Sequence, residues 1–111
     1  METMTTSPMT MASSAFAGPE VKSGCVVAAR DMNGITLSWS DDFVIPGAPA
    51  PHWQVVDAMG NVFLLQRLQV AGGTNRTVRV PPYVRQVSQV RIWCAFAEVV
   101  LGEATFQSPV M

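Results

Sequence analysis

The feature that most constrains the fold of this chain is a two-residue alternation of apolar and polar side chains in the stretch 88–106, SQVRIWCAFAEVVLGEATF. This period is that of a β-strand and does not fit a helix. The apolar face of the predicted strand consists of Val90, Ile92, Cys94 and Phe96. Arg91 and Trp93 fall on the other face. The pattern therefore predicts that the thiol of Cys94 faces the core and that the indole of Trp93 faces away from it.

Shorter stretches with strand character occur at 21–30, 35–40, 52–57, 62–70 and 76–80. Residues 31–34 (DMNG) between the first two predict a tight hairpin turn. The stretch 62–70 is apolar on both faces, which predicts a central strand, and 83–89 is expected to form a helical turn. With no sustained helical stripe, the sequence predicts an all-β fold, an antiparallel β-sandwich or flattened barrel of about eight short strands in a single domain.

The domain is expected to span residues 14–111, preceded by a flexible lead of residues 1–13 that holds four of the seven methionines. Within the domain, three prolines between positions 46 and 51 predict a rigid extended loop. The lead lacks both a basic start and a continuous apolar run, so we do not interpret it as a secretion signal.

Composition excludes several classes of function. The net charge is −1, and the seven Lys and Arg residues form no basic run, so nucleic-acid binding is not expected. No apolar stretch reaches the roughly eighteen residues that a membrane-spanning helix needs. The sequence contains neither a nucleophile elbow nor a phosphate loop, and therefore we expect no enzymatic activity.

The two cysteines, Cys25 and Cys94, are candidate redox or ligand residues. They form one disulfide if their strands are neighbours in an oxidising compartment, or else they are two free thiols. For Cys94 we favour a packed core thiol, because its neighbours on the same face are apolar. His52, the single histidine, is a conceivable second ligand to a haem or metal bound by Cys94, although a histidine after a proline loop more often bonds to the loop backbone.

Aromatic residues near the proline loop suggest a surface for a protein partner or a sugar. The candidate residues for this interaction surface are Trp53, Trp93, Pro49 and Pro51. The alternative, which we favour, is that the tryptophans form a second layer of the core beneath the loop.

Several phrases resemble the DM-thirteen domain, a small β domain whose family label is electron transfer. They are VRIWCAFAEVVLGEA at 90–104, PAPHW at 49–53 and GNVFLLQRL at 60–68. The resemblance covers residues 16–106 and implies a stand-alone bacterial branch, an extracytoplasmic location and a redox role for Cys94. It leads us to expect a non-enzymatic binding or accessory domain of the bacterial envelope, without a cofactor, that is associated with a redox system. The alternatives are a haem or metal electron carrier that uses Cys94 and a structural or adhesive module with an unknown protein partner.

Overall fold

The fold is built from short antiparallel strands. The computed structural model describes residues 9–32, 34–70, 73–74 and 76–110, and all regular structure within these ranges is β-structure. The strands are β1 (Met9–Ala12), β2 (Val26–Asp31), β3 (Gly34–Trp39), β4 (Pro51–Val56), β5 (Val62–Arg67), β6 (Gln69–Val70), β7 (Gly73–Thr74), β8 (Thr77–Arg79), β9 (Val87–Cys94) and β10 (Val99–Val110).

Eight of these strands form two antiparallel sheets. Sheet A has the order β1-β2-β3-β8, and sheet B has the order β10-β9-β4-β5, whereas β6 and β7 form a separate two-stranded ribbon. Each large sheet turns one face toward the shared apolar core, as the alternation of buried with more exposed residues in β3 and β9 shows. The prediction of an all-β sandwich is therefore confirmed.

The hairpin predicted at residues 31–34 joins β2 to β3. Asp31 pairs with Gly34, which has a φ of 120°. This φ suits a glycine, because it lies in the region that side chains disfavour. The turn residue Asn33 lies outside the described residues. In β3, the alternate side chains of Ile35, Leu37 and Trp39 are buried, as the sequence predicts.

Two local predictions were wrong. β5 is the edge strand of sheet B and is half exposed, although its apolar sequence predicted a central position. The stretch 83–89 forms no helical turn: the amide of Val84 donates to the carbonyl of Pro81 at 3.0 Å in a turn, and β9 begins at Val87.

The flexible lead was predicted to extend through residue 13, but its residues 9–12 form a strand of sheet A. β1 pairs with β2 from Met9 to Ala12, and the amide of Ser13 donates to the carbonyl of Val26 at 2.8 Å. These ladder bonds account for the difference, because an edge strand needs only backbone groups and no apolar alternation. Residues 1–8 of the predicted lead lie outside the described residues.

The segment that follows β1 connects the two sheets along one side. Ala17 forms an antiparallel bridge with Glu103 of β10, and the amides of Glu20 and Val21 both reach the carbonyl of Leu101 at 3.0 Å. The segment thus satisfies backbone groups on the outer edge of β10, which would otherwise be an open edge of sheet B.

Candidate ligand-binding face

The outer face of sheet B carries an ordered set of polar and aromatic side chains. Cross-strand partners project to the same side of a sheet, so register decides which residues meet there. His52 of β4 pairs with Trp93 of β9, and in the next row Gln54 pairs with Arg91. Arg91 also pairs with Glu103 of β10, which extends this row across a third strand.

Four polar side chains of this face, those of Gln89, Arg91, Glu103 and Thr105, are held in place by one another. Arg91 donates from Nε to Oε1 of Gln89 at 2.9 Å, and Gln89 donates from Nε2 to Oγ1 of Thr105 at 3.2 Å. Oε1 of Glu103 lies 4.0 Å from Nε of Arg91, so a carboxylate balances the guanidinium charge. Such bonds fix side-chain rotamers before a ligand arrives, which lowers the entropic cost of binding.

His52 and Trp93 form the adjacent row. Nδ1 of His52 lies 2.9 Å from the carbonyl oxygen of Ala50, an arrangement in which Nδ1 carries the proton and Nε2 is left as an acceptor. This bond to the loop backbone is the one that we favoured from the sequence. The Trp93 indole is half-buried, and its N–H makes no hydrogen bond with any residue in the described ranges.

Gln54 is the buried polar residue at the centre of the face. It is only 7% exposed, and its side-chain amide makes no hydrogen bond within the described part of the chain. Buried amides are almost always paired, because an unpaired one loses its bonds to water without replacement. The amide of Gln54 therefore offers unused donors and an unused acceptor between two strands.

The edge strand gives this face an apolar border. Leu64 pairs with Gln54 and Val62 pairs with Val56, and both edge side chains are about half exposed. We call the surface made by His52, Gln54, Leu64, Gln89, Arg91, Trp93, Glu103 and Thr105 the outer face. It combines the indole ring of Trp93, an apolar border, and polar groups that include both hydrogen-bond donors and acceptors.

The geometry separates the predicted pair of haem or metal ligands. His52 lies on the outer face, whereas Cys94 pairs with Pro51 and lies one residue beyond Trp93, on the core side of the same sheet. The two side chains project in opposite directions and do not fit a shared iron or metal ion. The structure therefore does not bring these two candidate ligands together. Nowhere in the described ranges do three His, Cys, Asp or Glu side chains gather into a group that could hold a metal ion.

Cys94 is a packed core thiol, as favoured from the sequence. It is 1% exposed, and its Sγ accepts a hydrogen bond from the amide of Ala97 at 3.4 Å. This bond, helped by the amides of Ala50 and Phe96, lowers the pKa of the thiol against the opposing effect of burial. Cys25 is half-buried, and both thiols are free, so the two cysteines form no disulfide.

Three further predictions of side-chain position need correction. Phe96, predicted on the buried face with Cys94, is 80% exposed, because β9 ends at Cys94 and residues 95–98 form a turn. Trp53 and Pro51, two of the candidate interaction residues, are buried: Trp53 faces the core beside Ile92, its partner in the register. Of that candidate set, Pro49 is exposed and Trp93 is half-buried.

Sequence reasoning did not single out Gln54, Gln89 or Arg91 as functional residues. For Gln54 a signal was present. It is the one polar residue in the run Trp53 to Val56, which is otherwise apolar on both faces of the strand. A polar residue in such a strand needs a partner, which makes it worth attention.

No helix in the described part of the chain has the length and apolar character needed to cross a membrane. The chain matches no family model, no curated protein and no solved structure. The resemblance to the DM-thirteen domain therefore stays a prediction that rests on the sequence phrases alone.

Proposed function

We propose that this protein is a non-enzymatic binding domain whose outer face binds a neutral, hydroxyl-rich ligand, and that the ligand is a carbohydrate. The observation that carries the proposal is the unpaired, 7% exposed amide of Gln54 at the centre of that face. A buried amide without a partner destabilises the free protein, and this cost is recovered when a ligand supplies the missing bonds.

The chemistry of the outer face favours hydroxyl groups over charged groups. A hydroxyl donates one hydrogen bond and accepts two. The side-chain amide of Gln54 can match it, because it carries both a donor NH₂ group and an acceptor oxygen. Nε2 of His52 adds an acceptor, and the indole N–H of Trp93 adds a donor. Because Glu103 balances Arg91, the centre of the face has no unpaired charge that would select a charged ligand.

The aromatic ring and the apolar border complete the match. One face of a sugar ring is formed mainly by C–H groups, which pack on an aromatic surface such as the half-buried indole of Trp93. The half-exposed side chains of Val62 and Leu64 extend this apolar contact at the edge of the sheet. A carbohydrate-binding domain agrees with the expectation of an accessory or adhesive module. Association with a redox system has less support, because the sulfur of Cys94 is enclosed on the opposite side of the sheet.

The test is a titration of the protein with neutral oligosaccharides, followed by tryptophan fluorescence and by calorimetry. The probes are cellohexaose, xylohexaose and chitohexaose. At least one is expected to bind and to change the fluorescence of Trp93, the half-buried indole. Trp93→Ala and Gln54→Leu are each expected to weaken that binding by roughly tenfold or more, as the loss of a stacking contact or of buried hydrogen bonds predicts.

Phe96→Ala is the matched control, because Phe96 is an exposed aromatic residue in the turn after β9 and lies outside the outer face. It should leave the affinity unchanged. Failure of all three oligosaccharides to bind would contradict the proposal, and so would binding that survives both Trp93→Ala and Gln54→Leu.

A further inference from the structure

We infer that a second site, a cleft beside the turn of the β2–β3 hairpin, binds a small organic carboxylate. The cleft has a volume of about 250 Å³ and is lined by Arg30 and Asp31 of β2 and by Arg85 in the segment before β9. Its apolar lining includes Ile35, Val80 and Val84. This site is separate from the outer face and does not depend on the proposed carbohydrate ligand.

The position of Arg30 follows from the register of sheet A. Arg30 pairs with Ile35, which is 4% exposed, so both side chains project from the core side of the sheet. Val26 and Ala28 precede Arg30 on this side and are buried. An arginine thus occupies the last core-side position of β2, at the open end of the sandwich, where a guanidinium stays accessible above apolar side chains.

The two arginines of the cleft have unused hydrogen-bonding capacity. The guanidinium groups of Arg30 and Arg85 make no hydrogen bond or ion pair with any residue that the structure describes. By contrast, Arg76 is paired with Asp41, and Arg91 is held by Gln89. With Asp31 also in the lining, the cleft carries two guanidinium groups and one carboxylate, an excess of one positive charge.

This combination selects the class of ligand. A guanidinium presents paired N–H donors whose spacing matches the two oxygens of a carboxylate. The buried side chains of Ile35, Val80 and Val84 provide an apolar surface for the rest of the molecule. The volume is slightly below the roughly 300 Å³ at which pockets for drug-sized ligands begin. A monocarboxylate with a single ring or a short alkyl chain fits these limits.

The experiment is an amide NMR titration of the full chain at constant ionic strength. The probes are sodium benzoate, benzyl alcohol as its uncharged analogue, and inorganic phosphate as an anion without an apolar body. Benzoate is expected to bind and to shift the amide signals of Ile35, Val84 and Arg85. Benzyl alcohol and phosphate are each expected to bind at least tenfold more weakly, because each lacks one of the two contacts.

Arg30→Gln and Arg85→Gln are each expected to weaken benzoate binding by roughly tenfold, the effect of losing one charge-assisted contact. Arg76→Gln is the matched control and should leave the affinity unchanged, because Arg76 pairs with Asp41 outside the cleft. Urea unfolding curves of the three variants will show that each remains folded. Equal binding of benzoate and benzyl alcohol, or affinity unchanged in both cleft variants, would overturn the inference. Trp93→Ala should not alter benzoate binding, so this test and the carbohydrate titration can fail independently.

Discussion

The indole rings of Trp39 and Trp53 stack across the interior with their centroids 5.6 Å apart and their planes 10° from parallel. Trp39 belongs to β3 of sheet A and Trp53 to β4 of sheet B, so this contact joins the two sheets. Phe43 also stacks on Trp39, with the ring centroids 4.7 Å apart, and Phe16 packs against Phe43 at 5.2 Å. Trp39 and Trp53 are thus buried, and both belong to the main apolar core of the described residues, not to a separate second layer.

Trp53→Ala should therefore destabilise the protein severely, whereas Trp93→Ala should not. Trp53 is fully buried, and its truncation removes the stack and leaves a cavity, at a cost of about 3–5 kcal/mol. Trp93 is half-buried on the outer face, and its loss should cost less than about 1 kcal/mol. Urea unfolding followed by circular dichroism measures both free energies. Similar losses for the two variants would show that Trp93 is also a core residue.

Gly102→Ala is expected to destabilise the contact between β10 and the segment that connects the sheets. A Cβ at position 102 would lie 2.6 Å from Cβ and 2.9 Å from the carbonyl oxygen of Val21. Val21 is buried, and the contacts are with its Cβ and backbone and not with the end of a flexible side chain, so the overpacking should cost about 1–3 kcal/mol. At Gly47 the same substitution meets no atom within 4 Å and serves as the control in thermal unfolding. A melting temperature lowered equally in both variants would contradict this explanation.

Alternation was a reliable guide where a strand has one buried face. It correctly predicted the buried positions of β3 and those of Val90, Ile92 and Cys94 in β9. It failed for Phe96 because the turn of residues 95–98 contains no Gly, Pro or Asn to mark the end of the strand. Instead, Glu98 adopts the positive φ of 57° that a glycine would ordinarily provide.

The position of a strand within its sheet could not be predicted from the local sequence pattern. The apolar run in β5 reads equally well as a central strand or as an edge strand, and only the sheet order decides between them. The outer face was only partly predictable for the same reason. Trp93 and His52 were singled out, but the row of Gln54 and Arg91 arises from register between strands that are distant in sequence.

The two thiols should differ in their reaction with a disulfide reagent. Cys25 is half-buried and should react slowly in the folded protein, whereas Cys94 is enclosed and should react only after unfolding. Ellman's reagent should therefore detect two thiols in urea without prior reduction. Cys25→Ser should abolish the reaction of the folded protein. A requirement for reductant in urea would show that Cys25 and Cys94 are bridged.

Stability should depend on pH through the β4–β5 turn. The side-chain amide of Asn61 donates to Asp57 at 3.0 Å, and this bond, with the backbone amides of Asn61, Met59 and Gly60, lowers the pKa of the Asp57 carboxyl. A carboxyl whose pKa is lower in the folded state stabilises the fold above its unfolded pKa. This stabilisation is lost as the pH falls through the folded pKa.

Asn61→Ala should consequently lower the free energy of unfolding near pH 7, and the difference from the wild type should shrink as the pH falls below about 4. Urea unfolding at a series of pH values measures this difference. Met59→Ala keeps the backbone amide that bonds to Asp57 and removes only an exposed side chain, so its effect should not vary with pH. An Asn61→Ala deficit that is constant from pH 7 to pH 2 would rule out the carboxylate bond as its cause.

Gln54→Leu should raise the stability of the free protein while it weakens carbohydrate binding. The substitution replaces an unpaired buried amide by an apolar group of similar size, which removes a desolvation cost of about 1–3 kcal/mol. Gln89→Leu is the matched control, because the amide of Gln89 is bonded to both Arg91 and Thr105, and its loss should lower stability instead. Urea unfolding in the absence of sugar measures both changes. A Gln54→Leu variant less stable than the wild type would mean that the amide is already satisfied in the free protein, and the outer face would then lose the feature that identifies it as a binding site.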